Sequence, residues 1–235
     1  MHKHTHTHTH IKPFPSLVHL QMFESFSFPI SSHDHDYVIC DIQPEYQSWM
    51  SGSFSLEDFG LWLSSLLSAG ADVLYLYNGE SMGMCSERQL KEWLVEDCDL
   101  DPELLDQAES NGLIRFYDKG YAFFRTCLDS GIAEEDVVAL VRFMIDHDVH
   151  DSREMSPDDW DRFVSDIDHD LDLSEIRSLM EISDECIWIP DLMDELRPLK
   201  SIMLTGGGVE ECLKEVEIAL QALDMPYALE RQFLY

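Results

Sequence analysis

The chain has 235 residues, of which 47 are acidic and 15 are basic, giving a formal net charge of −32 at pH 7. This balance excludes nucleic-acid or anionic-membrane binding through phosphate contacts, because both need clustered Lys and Arg. A hydrophobic content of 45% is sufficient for the core of a globular domain. A generally solvated acidic surface would carry the same charge as a surface that binds a partner. The net charge therefore does not decide whether the chain forms a homo-oligomer or binds a basic protein partner.

The cysteines indicate a reducing compartment. Six of them, at positions 40, 85, 98, 127, 186 and 212, form no C-x-x-C pair, so zinc-ribbon and thioredoxin sites are not predicted. Several stand in apolar runs, and the sequence shows no signal peptide and no long apolar run. We therefore expect a cytoplasmic protein without a membrane partner, and we predict neither a metal nor a cofactor.

The N-terminal segment differs from the rest of the chain. Residues 1–10 alternate His with Thr or Lys, as a metal-affinity tag does, and residues 11–36 have no clear period. We expect residues 1–36 to be a flexible segment and residues 37–235 to form one α/β domain.

From Tyr37 onwards, strand patterns alternate with helix patterns. Ser55 and Ser156 stand where helix caps are expected. This alternation predicts right-handed crossovers and a three-layer α/β/α fold with a mostly parallel sheet. In chain order, the predicted elements are strand 37–40, helix 55–68, strand 72–77, helices 87–95 and 101–110, strand 113–117, helix 134–145, strand 201–204, helix 209–223 and strand 227–229.

Residues 146–185 interrupt this alternation with a stretch that is dense in Asp and Glu. We interpret it as a helical insertion outside the sheet. Because charged residues leave little apolar surface, we expect it to add little to the core, so that its deletion leaves a folded protein.

A run of three glycines separates the strand 201–204 from the helix that follows it. Val209 and Leu213 begin the apolar face of that helix, which places Cys212 in its first turn. The helix N-terminus favours a thiolate there, whereas the neighbouring Glu210 and Glu211 would raise the thiol pKa. The alternative is that Cys212 is a small apolar core residue.

Three chemically active side chains follow three of the predicted strands. Asp41, Lys119 and Cys212 would meet at one edge, because sites in open α/β sheets form at the carboxyl ends of the strands. The thiol would attack a carbonyl, the carboxylate would accept the thiol proton, and the lysine would favour the thiolate. Backbone N–H groups of Gly207, Gly208 and Cys212 would bind the oxyanion.

These motifs resemble those of the isochorismatase-like cysteine hydrolases, which include nicotinamidases. Asp41–Ile42–Gln43–Pro44–Glu45–Tyr46 resembles their first-strand motif, Lys119 to Thr126 resembles their lysine segment, and Thr205–Gly206 precedes Cys212 at the family's spacing. The resemblance spans about 175 residues and implies a Cys-Asp-Lys triad that hydrolyses a small amide or related carbonyl compound. It also implies substrate contacts from Gln43, Tyr46 and Phe124. The nicotinamidase metal motif is absent from residues 78–81.

Two other functions stay open at this point. The first is a non-enzymatic acidic interaction protein on a degenerate hydrolase scaffold, which a protonated Cys212 would favour. The second is a metal-dependent phosphohydrolase or nuclease that uses Asp41, Glu80 and the Asp-rich stretch, which the scarcity of basic residues disfavours.

Overall fold

Five parallel strands form a single sheet in the computed structural model, which describes residues 35–80, 83–120, 127–166 and 190–235. The order across the sheet is β3-β2-β1-β4-β5, and every neighbouring pair is parallel. The predicted parallel arrangement is therefore confirmed. The strands are β1 (Asp36–Cys40), β2 (Asp72–Tyr77), β3 (Ile114–Asp118), β4 (Ile202–Gly206) and β5 (Tyr227–Leu229).

Helices flank the sheet, and local sequence signals define where several of them begin. Ser55 accepts the N–H of Asp58, and Ser86 forms a reciprocal capping box with Gln89, so each serine satisfies backbone groups that lack an intrahelical partner. The described helices are α1 (Gln47–Met50), α2 (Leu56–Ser68), α3 (Glu87–Glu96), α4 (Pro102–Ser110), α5 (Glu134–Asp146), α6 (Pro157–Asp166), α7 (Pro190–Leu196) and α8 (Cys212–Ala222).

The two faces of the sheet bury two separate hydrophobic cores. Successive side chains of a strand point to opposite faces, and Val38 and Cys40 enter one core while Tyr37 and Ile39 enter the other. Residues of α2, α3 and α4 pack in the core of Tyr37, and residues of α5 to α8 pack in the core of Val38. This is the predicted three-layer α/β/α fold.

The strand order places a topological switch point between β1 and β4. The chain runs outward from β1 to β2 and β3, then returns to the other side of β1 and continues through β4 to β5. The connections on the two sides of β1 and β4 diverge, which leaves a crevice at the carboxyl ends of these strands. Asp41 and the glycine turn lie at this crevice.

Helix α8 begins later than the sequence pattern indicates. The predicted helix starts at Val209, but the observed one starts at Cys212, because Gly208 accepts the N–H groups of Glu211 and Leu213 in a turn. Val209 is 40% exposed, so its assignment to the apolar face was wrong. The position of Cys212 in the first turn is confirmed.

The described part of the acidic insertion contributes to the core, contrary to our expectation. Trp160 and Phe163 of α6 are buried and pack in the same core as Phe143 and Met144 of α5. Trp160 and Phe163 lie three positions apart and share one face of α6, so the high acidic content of the helix did not prevent their burial. Residues 167–185 of the predicted insertion, and residues 1–34 of the predicted N-terminal segment, lie outside the described residues.

None of the helices in the described ranges is long and apolar enough to cross a membrane.

Candidate active site

Asp41 directly follows β1 and lies fully buried at the centre of the crevice. Its φ of +51° is uncommon for a residue with a side chain, and such strained conformations persist where the surrounding structure holds them. Oδ2 accepts the side-chain amide of Asn78 at 3.2 Å and lies 3.2 Å from Nζ of Lys119. Oδ1 is buried without a hydrogen-bond partner among the described residues. Asp41 therefore presents one engaged and one unengaged oxygen.

Lys119 follows β3 and reaches across the strand ends to Asp41. Its ammonium group is buried between two carboxylates, since Nζ also donates to Oε2 of Glu215 at 3.0 Å. Asp118 holds the preceding turn by accepting the N–H groups of Gly79 and Gly120. Burial lowers the pKa of Lys119, but the charges of Asp41 and Glu215 raise it well above its ordinary value. Lys119 is therefore a fixed positive charge.

Cys212 is the first residue of α8, and it lies beside Asp41 and Lys119. Its carbonyl oxygen accepts the thiol of Cys40 at 3.5 Å, which links α8 to β1. Burial and the charge of Asp41 raise the pKa of the Cys212 thiol far above its ordinary value, and Lys119 offsets this only in part. The resting thiol is therefore protonated.

The sequence left this protonation state open, because it offered one reason for a thiolate and another for a raised thiol pKa. Lys119 and the helix N-terminus were expected to favour the thiolate, but Lys119 already neutralises part of the charge on two carboxylates. Glu210 and Glu211 were expected to raise the thiol pKa, but both are exposed, and the chief causes are burial and Asp41. Sequence adjacency proved a poor guide to the charges that surround the sulfur.

The glycine turn brings β4 and α8 close to β1. Gly206 and Gly207 have φ values of +81° and +67°, a conformation that glycine adopts without strain. A Cβ at Gly206 would lie 2.2 Å from the carbonyl oxygen of Cys40, so a side chain has no room there. The N–H of Cys212 faces no intrahelical carbonyl because it opens the helix, which makes it a candidate oxyanion donor together with the turn of Gly207 and Gly208.

The other predicted contact residues organise the crevice. The side-chain amide of Gln43 accepts the N–H of Asn78 at 2.8 Å and donates to the carbonyl of Asn78 at 3.1 Å. Tyr46 accepts the side-chain amide of Asn78 at 3.0 Å. Both residues thus join the ends of β1 and β2, and their contact with substrate stays a prediction. Phe124 lies outside the described residues.

A pocket of about 290 Å³ opens beside the thiol. Trp49, Gly208, Glu211, Cys212 and Tyr235 line it. The hydroxyl of Tyr235 donates to the carbonyl of Asp41 at 2.7 Å, and its backbone pairs with Gly207 and Val209. The C-terminal segment therefore forms one wall of the pocket, next to the predicted nucleophile.

Several residues of this site escaped the sequence analysis. Glu215 had a detectable signal, because it lies three positions after Cys212 and so shares its side of α8. Asn78 also had one, since it follows β2 at the same edge as Asp41. Nothing in the sequence indicated that Trp49 and Tyr235 meet at this pocket.

The described side chains contain no group of three or more His, Cys, Asp or Glu residues placed to hold a metal ion. Asp41, which the metal-dependent alternative would also use, pairs with Lys119. Residues 146–166 of the Asp-rich stretch are among these described residues, and residues 167–185 lie outside them.

Comparison with known proteins adds no relative to this description. No family matches the chain, and neither a curated protein nor a solved structure is detectably similar to it.

Proposed function

We propose that this chain is a cysteine hydrolase that acts on a small amide or related carbonyl compound. One observation carries the proposal: Asp41, Lys119 and Cys212 converge at the crevice although 78 and 93 positions separate them in sequence. No local structure brings these residues together. The motif order that resembles the isochorismatase-like hydrolases supports the same assignment.

The raised pKa of Cys212 is compatible with this chemistry when the base acts during the attack. Asp41 accepts the thiol proton while Sγ forms a bond to the substrate carbonyl carbon. The C–N bond of the resulting tetrahedral adduct then breaks, and the leaving amine takes that proton from Asp41. A water molecule gives a proton to Asp41, its oxygen attacks the thioester, the C–S bond breaks, and the thiol recovers its proton.

Lys119 and the glycine turn have distinct tasks in this scheme. The ammonium group of Lys119 lies 3.2 Å from Oδ2 of Asp41 and fixes the position of the carboxylate that acts as the base. The N–H groups of Cys212 and of the Gly207–Gly208 turn bind the oxyanion of the adduct, at the positive end of the α8 dipole. Glu215 holds Lys119 from the opposite side, which fixes the ammonium beside Asp41.

A second candidate function is a non-enzymatic interaction protein that binds a basic partner. The net charge of −32 favours it, and so does a resting thiol that is protonated. The burial of three ionisable groups at one edge of the sheet costs free energy, and this second function does not explain it.

Trapping of an acyl-enzyme tests the first proposal. Incubation with 4-nitrophenyl acetate should acetylate Cys212, seen by peptide mass spectrometry, with a burst of 4-nitrophenol of about one equivalent. Asp41→Asn should slow the burst by roughly 100-fold, the usual share of a general base. Glu210→Gln, an exposed neighbour, should leave it unchanged. Acetylation that spares Cys212, or that persists unchanged in Asp41→Asn, would contradict the proposal.

A further inference from the structure

Asn78 follows the strand that lies between Asp41 and Lys119 in the sheet. The main chain of β2 binds both neighbours beyond the ends of β1 and β3. The N–H of Asp41 donates to the carbonyl of Leu76 at 2.9 Å, and the N–H of Lys119 donates to the carbonyl of Tyr77 at 2.9 Å. Asn78 is the next residue of the chain and is only 6% exposed, so it lies inside the crevice with the two charged residues.

The main chain of Asn78 is fixed independently of its side chain. Gln43, which is fully buried, accepts the N–H of Asn78 through Oε1 at 2.8 Å and donates to the carbonyl of Asn78 through Nε2 at 3.1 Å. A substitution at this position can therefore remove the side-chain amide and keep both backbone hydrogen bonds.

The side-chain amide of Asn78 has one orientation. Nδ2 donates to Oδ2 of Asp41 at 3.2 Å and to the hydroxyl oxygen of Tyr46 at 3.0 Å. Tyr46 gives its own proton to Sδ of Met84 at 3.4 Å, so its oxygen is left as an acceptor. A carboxylate oxygen is also an acceptor, and only the NH₂ group of a carboxamide can donate to both.

The Asp41 carboxylate is held at one of its two oxygens. Nδ2 of Asn78 and Nζ of Lys119 both contact Oδ2, whereas Oδ1 has no hydrogen-bond partner among the described residues. Burial and the charge of Asp41 raise the pKa of the Cys212 thiol, so the carboxylate acts on the sulfur from close by. Two contacts on Oδ2 fix the direction of the carboxylate and leave Oδ1 to accept a proton.

We propose that Asn78 is a positioning residue of this hydrolase. Its amide holds Oδ2 of Asp41, so that Oδ1 takes the proton of the Cys212 thiol during the attack on the carbonyl carbon. The proposal rests on the proposed function for the proton transfer, but not for the hold on the carboxylate. Loss of the amide slows proton transfer without weakening substrate binding, because the base acts in the transition state.

Replacement of the amide by a carboxylate has a distinct consequence. Asn78→Asp places a second carboxylate against Asp41, and two carboxylates that share a site retain one proton to a higher pH than a single one does. The other titratable groups around Asp41 stay the same in this variant. In the described part of the chain, the charge of Asp41 acts on Cys40, Tyr46, Tyr75, Lys119, Cys212 and Tyr235.

The rate of Cys212 acetylation by 4-nitrophenyl acetate tests the role of the amide. Asn78→Leu should slow the burst by at least about tenfold and leave the half-saturating ester concentration unchanged. Asn78→Asp should move the acid limb of the pH–rate profile upward by at least about one pH unit. Asn111→Leu is the control, because Asn111, the other asparagine of the chain, is exposed. A purely structural role would lower stability without moving the acid limb.

The hold on Asp41 has a readout that needs no activity. In a ¹⁵N–¹H spectrum of the wild-type protein, the side-chain amide signal of Asn78, assigned by its loss in Asn78→Leu, should lie at lower field than that of Asn111. Hydrogen bonds to charged acceptors are the stronger ones, so Asp41→Asn should move the Asn78 signal towards that of Asn111.

The two measurements separate this inference from the proposed function. Equal bursts in wild type and Asn78→Leu, equal losses in Asn78→Leu and Asn111→Leu, or an acid limb that stays in place in Asn78→Asp would overturn only the inference. Absence of a burst in the wild-type protein would overturn the proposed function, and the amide spectrum would then decide the hold on Asp41. An Asn78 signal that matches that of Asn111, or that does not respond to Asp41→Asn, overturns that hold.

Discussion

Lys119 and Glu215 form a buried ion pair, with 3.0 Å between Nζ and Oε2, although 96 positions separate them in sequence. The same ammonium group lies 3.2 Å from Oδ2 of Asp41. One positive charge thus stabilises two buried carboxylates from different elements. The stability of this edge of the sheet therefore depends on Lys119, the residue that is also proposed to support catalysis.

Lys119→Met should destabilise the protein strongly. It leaves Asp41 and Glu215 buried without their counter-ion, and removal of one partner of a buried pair costs about 3–5 kcal/mol. The free energy of unfolding from urea denaturation at pH 7 measures this loss. The double variant Lys119→Met/Glu215→Leu should recover part of it, because one of the two buried carboxylates that lose the ammonium group is removed. A double variant less stable than Lys119→Met would show that Glu215 has another stabilising partner.

Alkylation of Cys212 should be slow at neutral pH. Burial and the Asp41 carboxylate raise the pKa of the thiol, so the thiolate fraction at pH 7 is small and rises about tenfold per pH unit. Iodoacetamide labelling, quantified on the Cys212 peptide, should therefore keep accelerating up to pH 9. Glutathione, labelled in parallel, should approach a plateau once the pH is above the pKa of its own thiol. A plateau for Cys212 below pH 8 would mean that the site stabilises the thiolate.

Much of the fold and part of the site could be predicted from the sequence. The parallel sheet followed from alternating strand and helix patterns, and Asp41, Lys119 and Cys212 followed from their positions after strands. Those signals are local, because each depends on a few neighbouring residues.

The protonation state of the thiol could not be predicted in the same way. It depends on the depth of burial, which only the packed structure sets, and on the charge of Asp41, which lies beside the sulfur only after β1 and α8 have packed. The meeting of Trp49 and Tyr235 at the pocket could not be predicted for a related reason, because the two residues come from opposite ends of the domain and meet only in the packed structure.

Gly206→Ala should unfold or severely destabilise the protein. Its φ of +81° strains any side chain, and the new Cβ would lie 2.2 Å from the backbone oxygen of Cys40. We expect a loss of more than about 2 kcal/mol, since strain alone costs about 1–3 kcal/mol. Thermal denaturation followed by circular dichroism measures it. Gly52→Ala is the matched control, because its Cβ would meet nothing within 4 Å. Similar melting temperatures for both variants would mean that the turn relaxes.

Phe163→Ala tests whether α6 belongs to the core. Phe163 is fully buried, and its ring contacts those of Phe143 and Trp160 at centroid distances of 5.6 and 6.0 Å. Removal of a buried phenylalanine ring costs about 3–5 kcal/mol, because apolar contacts are lost and a cavity forms.

Val164→Ala is the control for this substitution. Val164 follows Phe163 in the same helix but is 37% exposed, so its truncation should cost no more than about 0.5 kcal/mol. Urea denaturation of both variants gives the comparison. If Phe163→Ala costs as little as Val164→Ala, α6 is peripheral and the acidic stretch is dispensable, as its composition first indicated. A large difference instead means that a helix with a strongly acidic face supplies part of the core that β1 and α8 also form. Because β1 and α8 position Asp41 and Cys212, deletion of the stretch would then also disturb the candidate active site.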